Sequence, residues 1–78
     1  MKYRDGREVR VGDRVQLWKN HYGTVVCSID SARYSDDFPE EEWAYLKRGV
    51  LIKMDTEALF HYQEADEDFE LIQPSSVP

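Results

Sequence analysis

The sequence predicts an all-β fold, a small antiparallel barrel of five or six short strands that forms a single domain over residues 1–73. In the segment 11–30, apolar residues stand two positions apart at Val15 and Leu17 and again at Val25, Cys27 and Ile29, as expected for two strands that bury one face. Two more strand-like runs, 49–54 and 58–62, are separated by a short polar loop. The chain of 78 residues suffices for one small hydrophobic core, and residues 74–78 are expected to form a flexible tail.

The segment 11–30 is predicted to form the first strand pair. Gly12 is expected at the bend before the first strand, because glycine accepts a positive φ. Gly23 is expected to end the turn between the two strands. The positions predicted to face the core are Asp13, Val15 and Leu17 on the first strand and Val25, Cys27 and Ile29 on the second.

Residues 33–48 interrupt the strand pattern and are predicted to contain a helical turn. Pro39 and the three glutamates after it favour a helix start, because proline fits the first turn and acidic side chains interact with the positive end of the helix dipole. Gly49 is expected to end this turn. In the strand at 58–62, either Ala58, Phe60 and Tyr62 or Leu59 and His61 face the core, and the sequence leaves this register open.

The charge distribution favours a protein partner with a basic surface. Residues 1–33 contain seven basic and four acidic side chains, whereas residues 34–78 contain three basic and twelve acidic ones. The formal net charge is −6. An acidic surface of this kind repels nucleic acid and attracts basic proteins.

Aromatic residues placed among the acids of residues 33–48 predict a protein-binding surface. Aromatic side chains surrounded by charge are typical of binding hot spots. The same aromatics, Phe38 and Trp43 in particular, are also suited to form a lid on the core, and the sequence leaves this alternative open. The predicted partner-binding residues are Tyr34, Asp36, Asp37, Glu40, Glu41, Glu42, Trp43 and Tyr45.

A basic strip in the N-terminal half is the alternative site, and it would bind nucleic acid. Interspersed acids and the net negative charge predict weak binding that depends strongly on salt. The members of the basic strip are Arg7, Arg10, Arg14, Trp18 and Lys19.

The sequence does not favour an enzyme. His21 and His61 lack any metal-ligand spacing, so neither a metal nor another cofactor is expected. Cys27 occupies a core-facing position and is interpreted as a small buried residue, not a nucleophile. A catalytic or small-ligand site would need His61 and Tyr62 to converge with carboxylates in a pocket.

The sequence also predicts a soluble cytoplasmic protein. It contains no apolar run that resembles a secretory signal or a membrane span. Its single cysteine excludes an intramolecular disulfide and fits a reducing compartment. The oligomeric state is left open.

Two glycine-containing strand motifs resemble those of a known class of fold. A GD-x-V strand followed by a G-x-V strand is similar to the signature of KOW-type and other SH3-like small barrels, although His21 and Tyr22 stand where the KOW loop carries glycine and basic residues. The wider pattern, from DGREVRVGDRV to EDFELI, resembles small uncharacterised bacterial barrel proteins. This resemblance implies an SH3-like barrel and an immunity or inhibitor role. The residues that carry the first motif are Gly12, Asp13, Val15, Gly23, Val25 and Val26.

Overall fold

The computed structural model describes residues 2–3, 5–63 and 69–74, and these residues form one antiparallel sheet of six strands. The strands are β1 (Arg14–Trp18), β2 (His21–Ser28), β3 (Arg33–Tyr34), β4 (Val50–Met54), β5 (Leu59–Tyr62) and β6 (Glu70–Gln73). A short helix α1 (Glu40–Trp43) is followed by a 3₁₀ turn (Ala44–Leu46). The strand order is β5-β4-β2-β1-β6, with β3 paired to β2. The predicted all-β class is confirmed, but the sheet is open: within the described residues β5 and β6 lie at its two edges.

The turn between β1 and β2 is shorter than predicted. Asn20 takes the left-handed conformation in this turn, with φ of 65°, and β2 already begins at His21. The prediction that Gly23 ends the turn is therefore wrong, because Gly23 lies inside β2. A Cβ atom at Gly23 would come within 2.7 Å of Ile52 Cγ2. Glycine is needed here for close packing between strands, not for turn geometry.

A bulge in β2 divides the buried side chains between two faces. In the ladder with β4, Val25 pairs with Ile52 whereas Cys27 pairs with Leu51. Leu51 and Ile52 are neighbours in one strand, so they point to opposite faces. Val25 and Cys27 therefore also lie on opposite faces, and the prediction of one shared face is wrong. The extra residue in the bulge, Val26, reverses the alternation.

Each face of the sheet carries its own hydrophobic cluster. The second cluster contains Cys27, Ile29 and Leu51. Phe60 and Tyr62 pack against the larger cluster, here called the main core, which settles the register of β5. The main core consists of Tyr3, Val9, Val15, Leu17, Val25, Val50, Ile52, Met54 and Phe69.

A buried carboxylate, Asp13, organises the loop that leads into β1. Asp13 is 2% exposed, and its Oδ2 accepts hydrogen bonds from the Tyr3 hydroxyl at 2.6 Å and from the Arg10 N–H at 2.9 Å. Its carbonyl oxygen accepts a hydrogen bond from the Val25 N–H at 2.9 Å, which ties the loop to β2. Burial and the hydrogen bond to Asp13 raise the pKa of the Tyr3 phenol. Gly12 has the positive φ predicted for it, 95°.

Replacing this carboxylate should weaken the fold substantially. Asp13→Ala is expected to lower the free energy of unfolding by about 3 kcal/mol, because the Tyr3 hydroxyl and the Arg10 N–H lose their acceptor in a buried site. Urea denaturation followed by tryptophan fluorescence measures this change. Asp36→Ala removes an exposed carboxylate and should change stability by less than about 0.5 kcal/mol. Equal losses in the two variants would show that the buried bonds do not stabilise the fold.

A comparison of two glycines separates the effect of a positive φ from the effect of a steric clash at the Cβ position. Gly6 and Gly49 have φ values of 91° and 93°. A Cβ at Gly49 would overlap the carbonyl oxygen of Tyr62, whereas no atom of the described residues lies within 4 Å of a Cβ at Gly6. Gly6→Ala should therefore cost about 1 kcal/mol of conformational strain alone. Gly49→Ala should cost at least about 2 kcal/mol more, because the β5 backbone has to move. Urea denaturation of both variants tests this, and equal costs would contradict the close contact.

Candidate functional site

Residues 33–48, here called the acidic insert, are anchored to the sheet at both ends. At the start, β3 pairs with the end of β2. Just after the insert, the Gly49 N–H donates to Asp30 Oδ1 and the Gly49 carbonyl accepts from the Ile29 N–H, both at 2.9 Å. The bond from Gly49 holds the pKa of the Asp30 carboxyl below its ordinary value. The insert is thus a closed loop of the sheet.

The predicted helical turn is present in the insert, but it ends earlier than expected. Helix α1 begins directly after Pro39, as the sequence predicts. The 3₁₀ turn that follows ends at Lys47, which takes a φ of 70°, so the prediction that Gly49 ends the turn is wrong. Gly49 serves instead where the Tyr62 carbonyl approaches the backbone.

The inner face of the acidic insert covers the second cluster. Its half-buried apolar side chains pack against that cluster. The Cys27 Sγ donates a hydrogen bond to the Phe38 carbonyl at 3.4 Å, and the rings of Phe38 and Trp43 lie 5.7 Å apart. Burial raises the pKa of the Cys27 thiol, which makes a reactive thiolate unfavourable. The residues that form this lid are Tyr34, Phe38, Trp43 and Leu46.

The outer face of the acidic insert is charged and carries one exposed aromatic ring. Tyr45 is 69% exposed, and its ring stacks on that of Trp43 with 6.4 Å between centroids. Partial burial and the negative charge of Glu40 raise the pKa of the Tyr34 phenol. The exposed acidic side chains, none of which pairs with another side chain that the structure describes, are Asp36, Asp37, Glu40, Glu41 and Glu42.

The structure divides the predicted partner-binding residues into two groups. The five acids and Tyr45 lie on the outer face of the acidic insert. Tyr34 and Trp43 are half-buried and belong to the lid. The Trp43 Nε1 atom is buried and has no hydrogen-bond partner among residues 2–3, 5–63 and 69–74.

Ion pairs engage two members of the basic strip. Both terminal nitrogens of Arg14 contact the carboxylate of Asp55 at 2.6 Å, and the Arg7 Nε donates to Asp5 Oδ2 at 2.7 Å. These arginines hold the pKa values of the Asp55 and Asp5 carboxyls below their ordinary range. Of the remaining members, Trp18 is 38% exposed and lies against the rings of His21 and Phe60, and both Arg10 and Lys19 are exposed.

Arg10 lines a cavity of about 600 Å³ together with Ser28 and Arg33. The sequence pattern did not single out Ser28 or Arg33, because each is an isolated polar residue next to a strand end. The only signal in the sequence is the presence of basic residues in a chain with a net negative charge.

The two residues that could suggest an enzyme, His61 and Tyr62, have separate surroundings in the described part of the chain. His61 and Tyr62 are neighbours in β5, so their side chains leave opposite faces of the strand. His61 Nε2 lies 2.7 Å from the Arg48 carbonyl oxygen, and Tyr62 packs against Phe69. Within the part of the chain that the structure describes, no three His, Cys, Asp or Glu side chains are grouped as metal ligands.

Comparison with protein-family models, curated protein sequences and solved structures finds no significant match. Among the described residues, no helix has the length and apolar character needed to cross a membrane.

Covering of Cys27 by the acidic insert can be measured as thiol reactivity. At mildly alkaline pH, the native protein should react with a disulfide reagent at least about 100-fold more slowly than the denatured protein. Phe38→Ala should speed this reaction about tenfold, because it loosens the lid without opening the main core. Glu41→Gln, which changes one exposed carboxylate of the outer face, serves as the control. Equal acceleration in both variants would contradict the division into inner and outer faces.

Proposed function

We propose that this protein is a non-enzymatic binding module whose acidic insert occupies a basic site on a partner protein. One observation carries the proposal: a single insert, whose apolar side chains pack on the second cluster, exposes Tyr45 and five carboxylates that are unpaired among the described residues. Packing of the inner face holds the backbone of the insert in place. Less conformational freedom is then lost on binding, which favours affinity.

The two kinds of side chain on the outer face would contribute differently. The carboxylates would attract a basic surface over a long range and speed the encounter. Tyr45 would supply the contact area typical of a hot spot, since it is large, mostly exposed and already stacked on Trp43. An immunity or inhibitor protein acts in this way when it covers a basic catalytic or nucleic-acid-binding surface of its target.

The scaffold that we propose for this role is a small SH3-like barrel in the cytoplasm. Support for closure of the sheet comes from Tyr62 on β5 and Phe69 next to β6, whose ring centroids lie 5.7 Å apart in the main core. Side-chain packing would then join the two edges. A reducing compartment suits the buried free thiol of Cys27.

Nucleic-acid binding by the basic strip receives less support from the geometry. Arg7 and Arg14 are held in ion pairs, and the net charge of −6 opposes the approach of a polyanion.

The proposal is tested by capture of the partner from native cell extract, with and without nuclease, followed by calorimetry with the purified partner. A basic protein should be captured in both samples. Tyr45→Ala should weaken binding at least about tenfold, because it removes the exposed aromatic ring. The double variant Glu41→Gln/Glu42→Gln should slow association and reduce its dependence on salt.

A matched control separates the surface of the insert from net charge. Glu57→Gln/Glu70→Gln makes the same charge change outside the insert and should alter affinity by no more than about twofold. Equal losses in the two double variants would show that only net charge matters. Loss of the captured protein after nuclease treatment would overturn the proposal in favour of the basic strip.

A further inference from the structure

The cavity beside Arg10 lies between the loop that precedes β1 and the turn that connects β2 to β3. Its volume of about 600 Å³ falls within the range of small-molecule sites in proteins. Its walls combine apolar and polar side chains, with Val9, Val11 and Tyr34 next to Arg10, Ser28 and Arg33. This mixture suits a ligand with one polar and one apolar end.

The two arginines of the cavity are available to a ligand. Neither the Arg10 nor the Arg33 side chain makes a hydrogen bond or an ion pair with any residue that the structure describes, in contrast to Arg7 and Arg14. Among the described residues that line the cavity, Glu8 is the one acidic member. Basic side chains therefore outnumber acidic ones among these lining residues, although the chain as a whole is acidic.

Each arginine is attached to a firmly held part of the backbone. The Arg10 N–H donates to Asp13 Oδ2 at 2.9 Å, and the Arg10 carbonyl accepts from the Asp13 N–H at 3.1 Å. Arg33 pairs with Ser28 in the β2–β3 ladder, so their side chains lie on the same face. A site built on such supported positions needs little reorganisation when a ligand binds.

Ser28 adds a buried hydroxyl group that lacks a hydrogen-bond partner among the described residues. Its side chain is fully buried, and its Oγ has no hydrogen-bond partner in the described part of the chain. A buried hydroxyl without a partner destabilises the protein by about 1–3 kcal/mol, and such groups call for a specific explanation. An oxygen atom of a ligand in the cavity would accept this hydrogen bond.

We propose that this cavity binds a small organic anion through an oxyanion group, phosphate or carboxylate. Arg10 and Arg33 donate charge-assisted hydrogen bonds to the oxyanion, for which the planar guanidinium is well suited. The buried hydroxyl of Ser28, which also lines the cavity, donates a further hydrogen bond to the oxyanion. Val9, Val11 and Tyr34 contact the apolar part of the ligand. This site uses none of the acids on the outer face of the insert, so ligand binding and the protein-binding role can be tested independently.

Titration of the isotope-labelled protein, followed by NMR at constant ionic strength, tests the proposal with three probes. Phenyl phosphate, benzoate and inorganic phosphate distinguish the two oxyanions and the contribution of an apolar part. We expect saturable shifts confined to residues 8–12 and 28–34, with phenyl phosphate binding more tightly than inorganic phosphate. Absence of saturable shifts with all three probes would overturn the proposal.

Variants then identify the groups that hold the oxyanion. Arg10→Gln and Arg33→Gln should each weaken binding of phenyl phosphate about tenfold, because each removes a charged donor. Arg48→Gln makes the same charge change away from the cavity and should leave the affinity within about twofold. If all three variants weakened binding equally, net charge alone would explain the effect, and the proposed site would be wrong.

Ser28→Ala tests the hydrogen bond assigned to the Ser28 hydroxyl. The variant should fold normally, because the hydroxyl has no partner to lose among the described residues, and it should bind phenyl phosphate about fivefold more weakly. An unchanged affinity would overturn the role of Ser28 in the site.

Discussion

The buried carboxylate of Asp13 is the interaction on which the other features of this structure depend. A carboxylate out of contact with water is unfavourable unless hydrogen bonds compensate for its lost hydration. Here Oδ2 alone accepts two, from the Tyr3 hydroxyl and the Arg10 N–H. Tyr3 is thereby held against Phe69, with 5.5 Å between ring centroids, which contributes to the main core. The same carboxylate holds the backbone of Arg10, a residue that lines the cavity.

Features that depend on the local chain were predictable from the sequence. The alternation of Val15 and Leu17 follows from the period of two in any strand, and the positive φ of Gly12 follows from glycine before a strand. The bulge in β2 was not predictable, because its register is set by β4, more than twenty residues away. Gly23 was misinterpreted for the same reason, since only the position of Ile52 shows why glycine is required there.

The candidate site shows the same division between local and distant causes. Exposure of the five acids could be predicted, because charged side chains rarely leave water without partners. The choice between a lid and an exposed surface could not be made for Tyr34 and Trp43, because they pack inward only where the bulge has turned Cys27 to their face. The cavity gave little signal, because Arg10 and Arg33 are far apart in sequence and meet through the Asp13 loop and the β2–β3 ladder.

The main core and the second cluster, which lie on opposite faces of β2, are expected to differ in stability. Among the described residues, the main core has nine buried members, whereas the second cluster has three, Cys27, Ile29 and Leu51. Fewer buried apolar side chains lie under the acidic insert than in the main core, so the contacts that hold the insert are the weaker of the two sets. Strand β3 connects this insert to the cavity, because Arg33 lines the cavity while its neighbour Tyr34 packs on the second cluster. A ligand that binds Arg33 would therefore also restrain the start of the insert. Strand β3 would then support both the cavity and the outer acidic face.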